Sequence, residues 1–132
     1  MKVQKKEICF EDERGSILDV VESVNFNGAT IIKSVSGSIR GNHFHKHTIQ
    51  YAFVLEGRIL AKSKKVGMEL EEVILEPGDL ITHDVYEAHM YKALVDSKFI
   101  VLSSGLRSGK DYELDTYRIQ SSIENFSQID IE

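Results

Sequence analysis

Four of the five histidines of this 132-residue chain lie in two short stretches. The first stretch, GSIRGNHFHKHTIQ (37–50), holds His43, His45 and His47; the second, EAHMY, holds His89, and His83 lies apart in DLITH. On an extended strand, residues two apart point to the same side, so His43 and His45 project together while Phe44 points away as a packing residue. Two imidazoles on one face can chelate a cation or flank a substrate. A metal needs ligands from more than one direction, so a third donor must come from elsewhere. His89 is the candidate, and Gln50 can add an amide oxygen. Without a metal, the same imidazoles are acid–base groups with pKa values near neutral pH. His47 is expected where the strand gives way to a loop, and His83, just before Asp84, at a turn.

Those side chains need a scaffold of strands. ILDVVESV (17–24), ATIIKSVS (29–36), YAFVLEGRILAKS (51–63), MELEEVIL (68–75), DLITH (79–83), AHMYKALV (88–95) and KFIVLSS (98–104) are rich in Val, Ile, Tyr and Phe, and several alternate. Tyr51, Phe53 and Leu55 share one face, as do Met68, Leu70 and Ile74. Asn27-Gly28, Gly57, Gly67 and Pro77-Gly78 fall where turns are required. Many short strands at this spacing predict an all-β sandwich or barrel. No segment has a sustained helical period, and the tail QSSIENFSQIDIE is expected to add an edge strand, pack on a partner or fray.

Composition narrows the function classes. Length suits one domain over residues 1–132, with a core at about 15–105 and an extension at 106–132. A formal net charge of −5, with acidic runs at 11–13 and 69–72, argues against nucleic acid, because binding a polyanion requires a basic face. An anionic metabolite remains open, since Arg40, Lys46, Arg58 and Lys62 cluster in sequence around the histidines. The single Cys9 forms no internal disulfide. No apolar run has the character of a signal peptide or the length of a membrane span, so the expected location is the cytoplasm.

The motifs then resemble those of the cupin superfamily, whose fold is a double-stranded β-helix, the jelly-roll barrel. Gly37, five residues, His43-Phe44-His45, four residues, Gln50, six residues and Gly57 match its first motif, with glutamine where metal-binding members carry glutamate. Gly78 and His89 match the second motif, where Asp84, Tyr86 and Ala93 replace proline, glycine and asparagine. DERGSILDV, SIRGNHFHKHT and SGKDYELDTYRI are similar to small cupins of sugar-nucleotide and surface-polysaccharide pathways. The RG-x-H-x-H-K element resembles that of dTDP-4-keto-6-deoxyhexose 3,4-ketoisomerases. That resemblance implies an isomerase or epimerase of a keto-sugar nucleotide, with His43 and His45 as acid–base pair and Arg40 as substrate contact. Phe44 departs from the small residue usual between the two histidines. Tyr51, Tyr86 and Tyr91 are candidate acids or stacking groups, Tyr51 and Tyr91 being the substrate-binding choices. Two alternatives stay open. One is a metal-dependent isomerase or dioxygenase holding zinc, nickel, manganese, iron or copper through His43, His45, Gln50 and His89. The other is a non-catalytic cupin that binds a sugar or metabolite. No organic cofactor is expected, and the resemblance implies a homodimer.

Overall fold

The structure is a computed structural model that describes residues 1–105 and 113–132. Part of the closing SGKDYELDTYRI element, residues 108–112, therefore lies outside the described residues. Twelve strands are described: β1 Lys2–Lys5, β2 Ile8–Asp12, β3 Gly15–Leu18, β4 Gly28–Ser34, β5 Ile39–Phe44, β6 Ile49–Glu56, β7 Ile59–Lys65, β8 Glu71–Leu75, β9 Asp79–His83, β10 Glu87–Ala93, β11 Ser97–Ser104 and β12 Tyr117–Arg118. Two five-stranded sheets, ordered β1-β9-β6-β11-β4 and β12-β5-β10-β7-β8, form the jelly-roll, and β2-β3 is a separate ribbon. All the pairings are antiparallel. This is the expected all-β jelly-roll architecture.

Strict alternation divides each central strand between two environments. Ala52 and Val54 of β6, Ile59 and Ala61 of β7, Ile81 of β9, and Phe99 and Val101 of β11 meet in the apolar floor between the sheets. The opposite face of β5 and β10 carries Phe44 and Ala88, which pack beneath Ile119, Ile123 and Phe126 of the C-terminal segment. The tail therefore packs on its own chain, through a 3-10 turn at Ile123–Asn125 and a short helix α1, Gln128–Ile131. Lys64 Nζ donates to the Phe126 carbonyl at 3.0 Å, and Lys62 pairs with Glu124 at 3.2 Å.

Several strand boundaries differ from the expected ones. The run at 17–24 leaves strand geometry after Leu18, and Ser23 takes φ 55°. In MELEEVIL the strand begins only at Glu71, after a turn in which Met68 N–H donates to the Lys65 carbonyl at 3.1 Å. Period-two parity does not carry across that turn. Leu75 is accordingly buried and Val73 half-buried, whereas Met68 and Ile74 face solvent. The charge-rich β1 carries little apolar pattern, yet it joins the first sheet through backbone pairing with β9. The sandwich thus starts ahead of residue 15, and residues 117–126 are part of its second sheet and core rather than an appendage.

Among the described residues no helix is long and apolar enough to cross a membrane.

A candidate imidazole centre in the barrel mouth

The centre is built by β5 and β10, which place His43 opposite His89 in register. Their ring centroids are 4.8 Å apart, and His45, one residue beyond β5, lies 4.9 Å from His43 and 5.2 Å from His89. One nitrogen of each ring falls within 4.8 Å of the others. His45 and His89 are buried and His43 is half-buried. The two histidine stretches do converge in one hollow.

A bulge decides what shares that hollow. Met90 pairs with Gly41 while His89 pairs with His43, so Asn42 is an extra residue on β5, at φ 59°. Residues three apart on a regular strand face opposite ways; the inserted residue restores Arg40 and His43 to the same side. Both line a cavity of about 250 Å³ with Gln50, His89, Tyr91 and Arg118. Gly41 allows the close crossing: at φ 90°, a Cβ there would stand 2.8 Å from the His89 carbonyl oxygen. Arg40 is braced against the strand beside it, with Nε donating to Ser34 Oγ at 2.8 Å and a terminal nitrogen donating to the Lys33 carbonyl at 2.9 Å.

A family model described as the polysaccharide biosynthesis C-terminal domain matches residues 10–95, well over half of the chain. The chain belongs to this family. The sequence matches no curated protein. The fold of this polysaccharide biosynthesis C-terminal domain is similar to a dTDP-4-dehydrorhamnose 3,5-epimerase from Sulfolobus tokodaii, with TM-score 0.72 and 22% identity over 93% of this chain and 83% of that one. It is similar to a double mutant of the QdtA 3,4-ketoisomerase from Thermoanaerobacterium thermosaccharolyticum in complex with TDP, at TM-score 0.73 and 20% identity, covering 89% and 86%. ChmJ, a 3'-monoepimerase from Streptomyces bikiniensis in complex with dTDP-quinovose, matches with TM-score 0.74 and 15% identity, covering 89% and 68%. At these identities the likeness establishes the fold.

In this polysaccharide biosynthesis C-terminal domain the candidates sort by strand parity. Gln50 faces inward and is buried, which turns Tyr51 to the other side of β6, away from the cavity lining. Tyr51 is thus not among the residues that line this cavity. Tyr86, at φ 58°, stacks on Phe44 at 6.4 Å on the outer face of the sheet. Tyr91 stays in the cavity wall. His47 is exposed in the loop after β5, as expected. Of the clustered cations, only Arg40 reaches the cavity; Lys46 covers the Tyr117 ring at 4.4 Å, Arg58 faces Glu76 at 3.9 Å, and Lys62 faces Glu72 and Glu124. Arg118 was missed because it lies in β12, a two-residue strand with no pattern of its own.

His83 stands just before the turn, as expected, but its ring belongs to the imidazole array. It ends β9, is 1% exposed, and stacks on His89 with centroids 4.4 Å apart and planes at 15°. Its Nδ1 lies 2.9 Å from Glu87 Oε1 and its Nε2 lies 2.6 Å from the Tyr91 hydroxyl. Burial pushes the His83 pKa down, against the pull of Glu87. Burial also holds His89 well below the ordinary histidine range, helped by the three other imidazoles around it. Burial would raise Glu87, but hydrogen bonds from His83 and Ser63 outweigh it and keep the carboxylate ionised. With neutral His83 donating from Nδ1 to Glu87, its Nε2 accepts from Tyr91. The Tyr91 proton therefore points at His83, and burial raises the phenol above its usual range. The parity of DLITH and EAHMY, with Asp79, Ile81 and His83 on one face and Glu87, His89 and Tyr91 on another, was the sequence signal for this array.

His89 Nδ1 lies 3.1 Å from the Glu87 carbonyl, and His45 Nδ1 lies 2.7 Å from the Asp115 carbonyl. Carbonyls only accept, so both Nδ1 atoms carry protons and both rings turn Nε2 toward the centre. Among the described residues, His89 Nε2 is buried with no hydrogen-bond partner.

Proposed function

We propose that this protein is an isomerase or epimerase of a keto-sugar nucleotide, working by histidine acid–base catalysis. The observation that carries the proposal is the convergence of His43, His45 and His89, of which His43 and His89 line the cavity together with Arg40 and Arg118. The family match to polysaccharide biosynthesis and the sugar-nucleotide epimerases and ketoisomerases of the same fold support it. Moving a carbonyl to the neighbouring carbon, or inverting the carbon beside it, starts by removing a proton α to the carbonyl. A neutral imidazole can take that proton and a second group can return one on the next carbon or the other face. His43, half-buried in the cavity lining, meets the sugar, and His45 beside it is the partner acid–base group. Arg40 and Arg118 offer charge-assisted hydrogen bonds to the diphosphate. The product is released with the same atoms as the substrate, so no co-reactant is required.

The same three imidazoles fit a divalent ion, and the buried Nε2 of His89 is the kind of atom an ion would satisfy. Such an ion would supply Lewis-acid polarisation of a carbonyl. Gln50 argues for the metal-free route, because a neutral amide oxygen holds a cation more weakly than a carboxylate. Turnover of dTDP-4-keto-6-deoxyglucose, followed by NMR after exhaustive chelation, tests the choice. Conversion that survives chelation is expected; loss of conversion restored by zinc or manganese would transfer the function to the metal-dependent rival. Under that rival, Gln50→Glu tightens ion binding. Unaltered ion affinity would remove Gln50 as a ligand.

We extend the proposal to a homodimer, which would cover Ile8, Phe10 and Ile17 on the solvent-facing β2-β3 ribbon. A two-stranded ribbon is marginal in water without such cover. A sedimentation mass of one chain would exclude the dimer.

A further inference from the structure

Asp115 lies in a 3-10 turn at residues 113–115 and is 1% exposed. Its Oδ1 accepts the backbone N–H of Lys46 at 2.9 Å; its Oδ2 accepts the backbone N–H of His47 at 2.9 Å and the Thr48 hydroxyl at 2.7 Å. Its own carbonyl oxygen takes the Nδ1 proton of His45. One residue of the C-terminal segment thus binds four successive residues, 45–48, across the connection from β5 to β6. We propose that Asp115 is a positioning residue for the acid–base chemistry, fixing both the ring orientation and the proton-bearing nitrogen of His45. This inference rests on the proposed function, and it adds the C-terminal segment to the working site.

Aspartate suits the position chemically. Its two carboxylate oxygens accept all three donors of the 46–48 connection, and holding that connection holds the Asp115 carbonyl against His45. An amide in its place would turn an N–H₂ toward a backbone N–H or the Thr48 hydroxyl. The far side of the connection is equally constrained, because a Cβ at Gly105 would collide with Thr48. The His45 ring can exchange protons with the centre only through Nε2 while Nδ1 stays committed to the carbonyl. Freed from that carbonyl, it would divide between two tautomers and two ring orientations. Asp115 touches no substrate in this scheme. Its effect passes entirely through His45.

The test uses the full chain with Asp115→Asn, and with Thr48→Val as a milder variant that removes one of the four bonds; Thr48→Ser, which keeps the hydroxyl, is the control. The first readout is the ¹⁵N spectrum of His45 in protein without ligand. Wild type and Thr48→Ser are expected to show one tautomer with Nδ1 protonated, and Asp115→Asn a mixture. The second readout is turnover of dTDP-4-keto-6-deoxyglucose per folded molecule. It is expected to fall about 10- to 100-fold in kcat for Asp115→Asn, with little change in KM and with Thr48→Ser like wild type, as for other residues that orient a working imidazole. An unchanged His45 tautomer in Asp115→Asn and Thr48→Val, or an activity loss that only tracks the fraction unfolded, would overturn the role. If wild type converts no sugar nucleotide, the enzymatic reading fails, while the His45 spectrum still decides whether Asp115 fixes that ring.

Discussion

His43→Ala is expected to reduce conversion of dTDP-4-keto-6-deoxyglucose by about 10³-fold or more while shifting the thermal midpoint little, as the loss of a positioned proton-transfer group does elsewhere. The physical reason is placement. His43 is half-buried, lines the cavity, and forms no part of either apolar cluster, so its ring is spent on the site and not on the core. His45→Ala is expected to lose activity to a similar degree but also to cost stability. That ring is 3% exposed, and its removal leaves a void and deprives the buried Asp115 carbonyl of its donor. Steady-state kinetics beside thermal unfolding separates the two residues. A His43→Ala protein retaining more than about a tenth of wild-type kcat would contradict its assignment.

Phe44→Ala is expected to destabilise the fold by about 3–5 kcal/mol. That is a large share of the roughly 5–15 kcal/mol by which domains of this kind are stable. Phe44 is fully buried and touches Tyr117 at 5.3 Å, Phe126 at 5.3 Å and Tyr86 at 6.4 Å. It anchors the C-terminal segment to β5, and that segment brings both Arg118 and Asp115 to the site. Loss of Phe44 therefore acts on function as well, although its side chain faces away from the cavity. Urea unfolding with an unchanged m-value would measure the cost. A loss below about 1 kcal/mol would mean that the aromatic cluster does not hold the segment down.

The barrel and most of its strands were legible because alternation and β-branched composition are local properties. The paired projection of His43 and His45, with Phe44 opposed, follows from the period of two alone. What local pattern could not carry was the bulge at Asn42. A single extra residue reverses parity upstream of it, and only the pairing partner on β10 reveals it. The end of β9 at His83 was legible, but the place of that ring in the array was not, because its partners Glu87, His89 and Tyr91 lie on the next strand. Glu87 drew no notice for a related reason: its buried carboxylate makes sense only once His83 and Ser63 are seen to donate to it. Tyr51 was chosen by residue type, whereas its parity with Gln50 places it outside the cavity lining. Arg118 and Asp115 come from a segment with little periodicity; Arg118 reaches the site by pairing with His43, and the role of Asp115 depends on contacts 67 to 70 residues away in sequence.

The central claim is that these imidazoles move a proton at a sugar carbon. Incubating the chelated protein with dTDP-4-keto-6-deoxyglucose in D₂O and following the ring protons by NMR measures that event directly. Deuterium appearing beside the carbonyl, at a rate that His43→Ala abolishes, is the predicted result. A nucleotide sugar that binds in the cavity and keeps all its protons would contradict it.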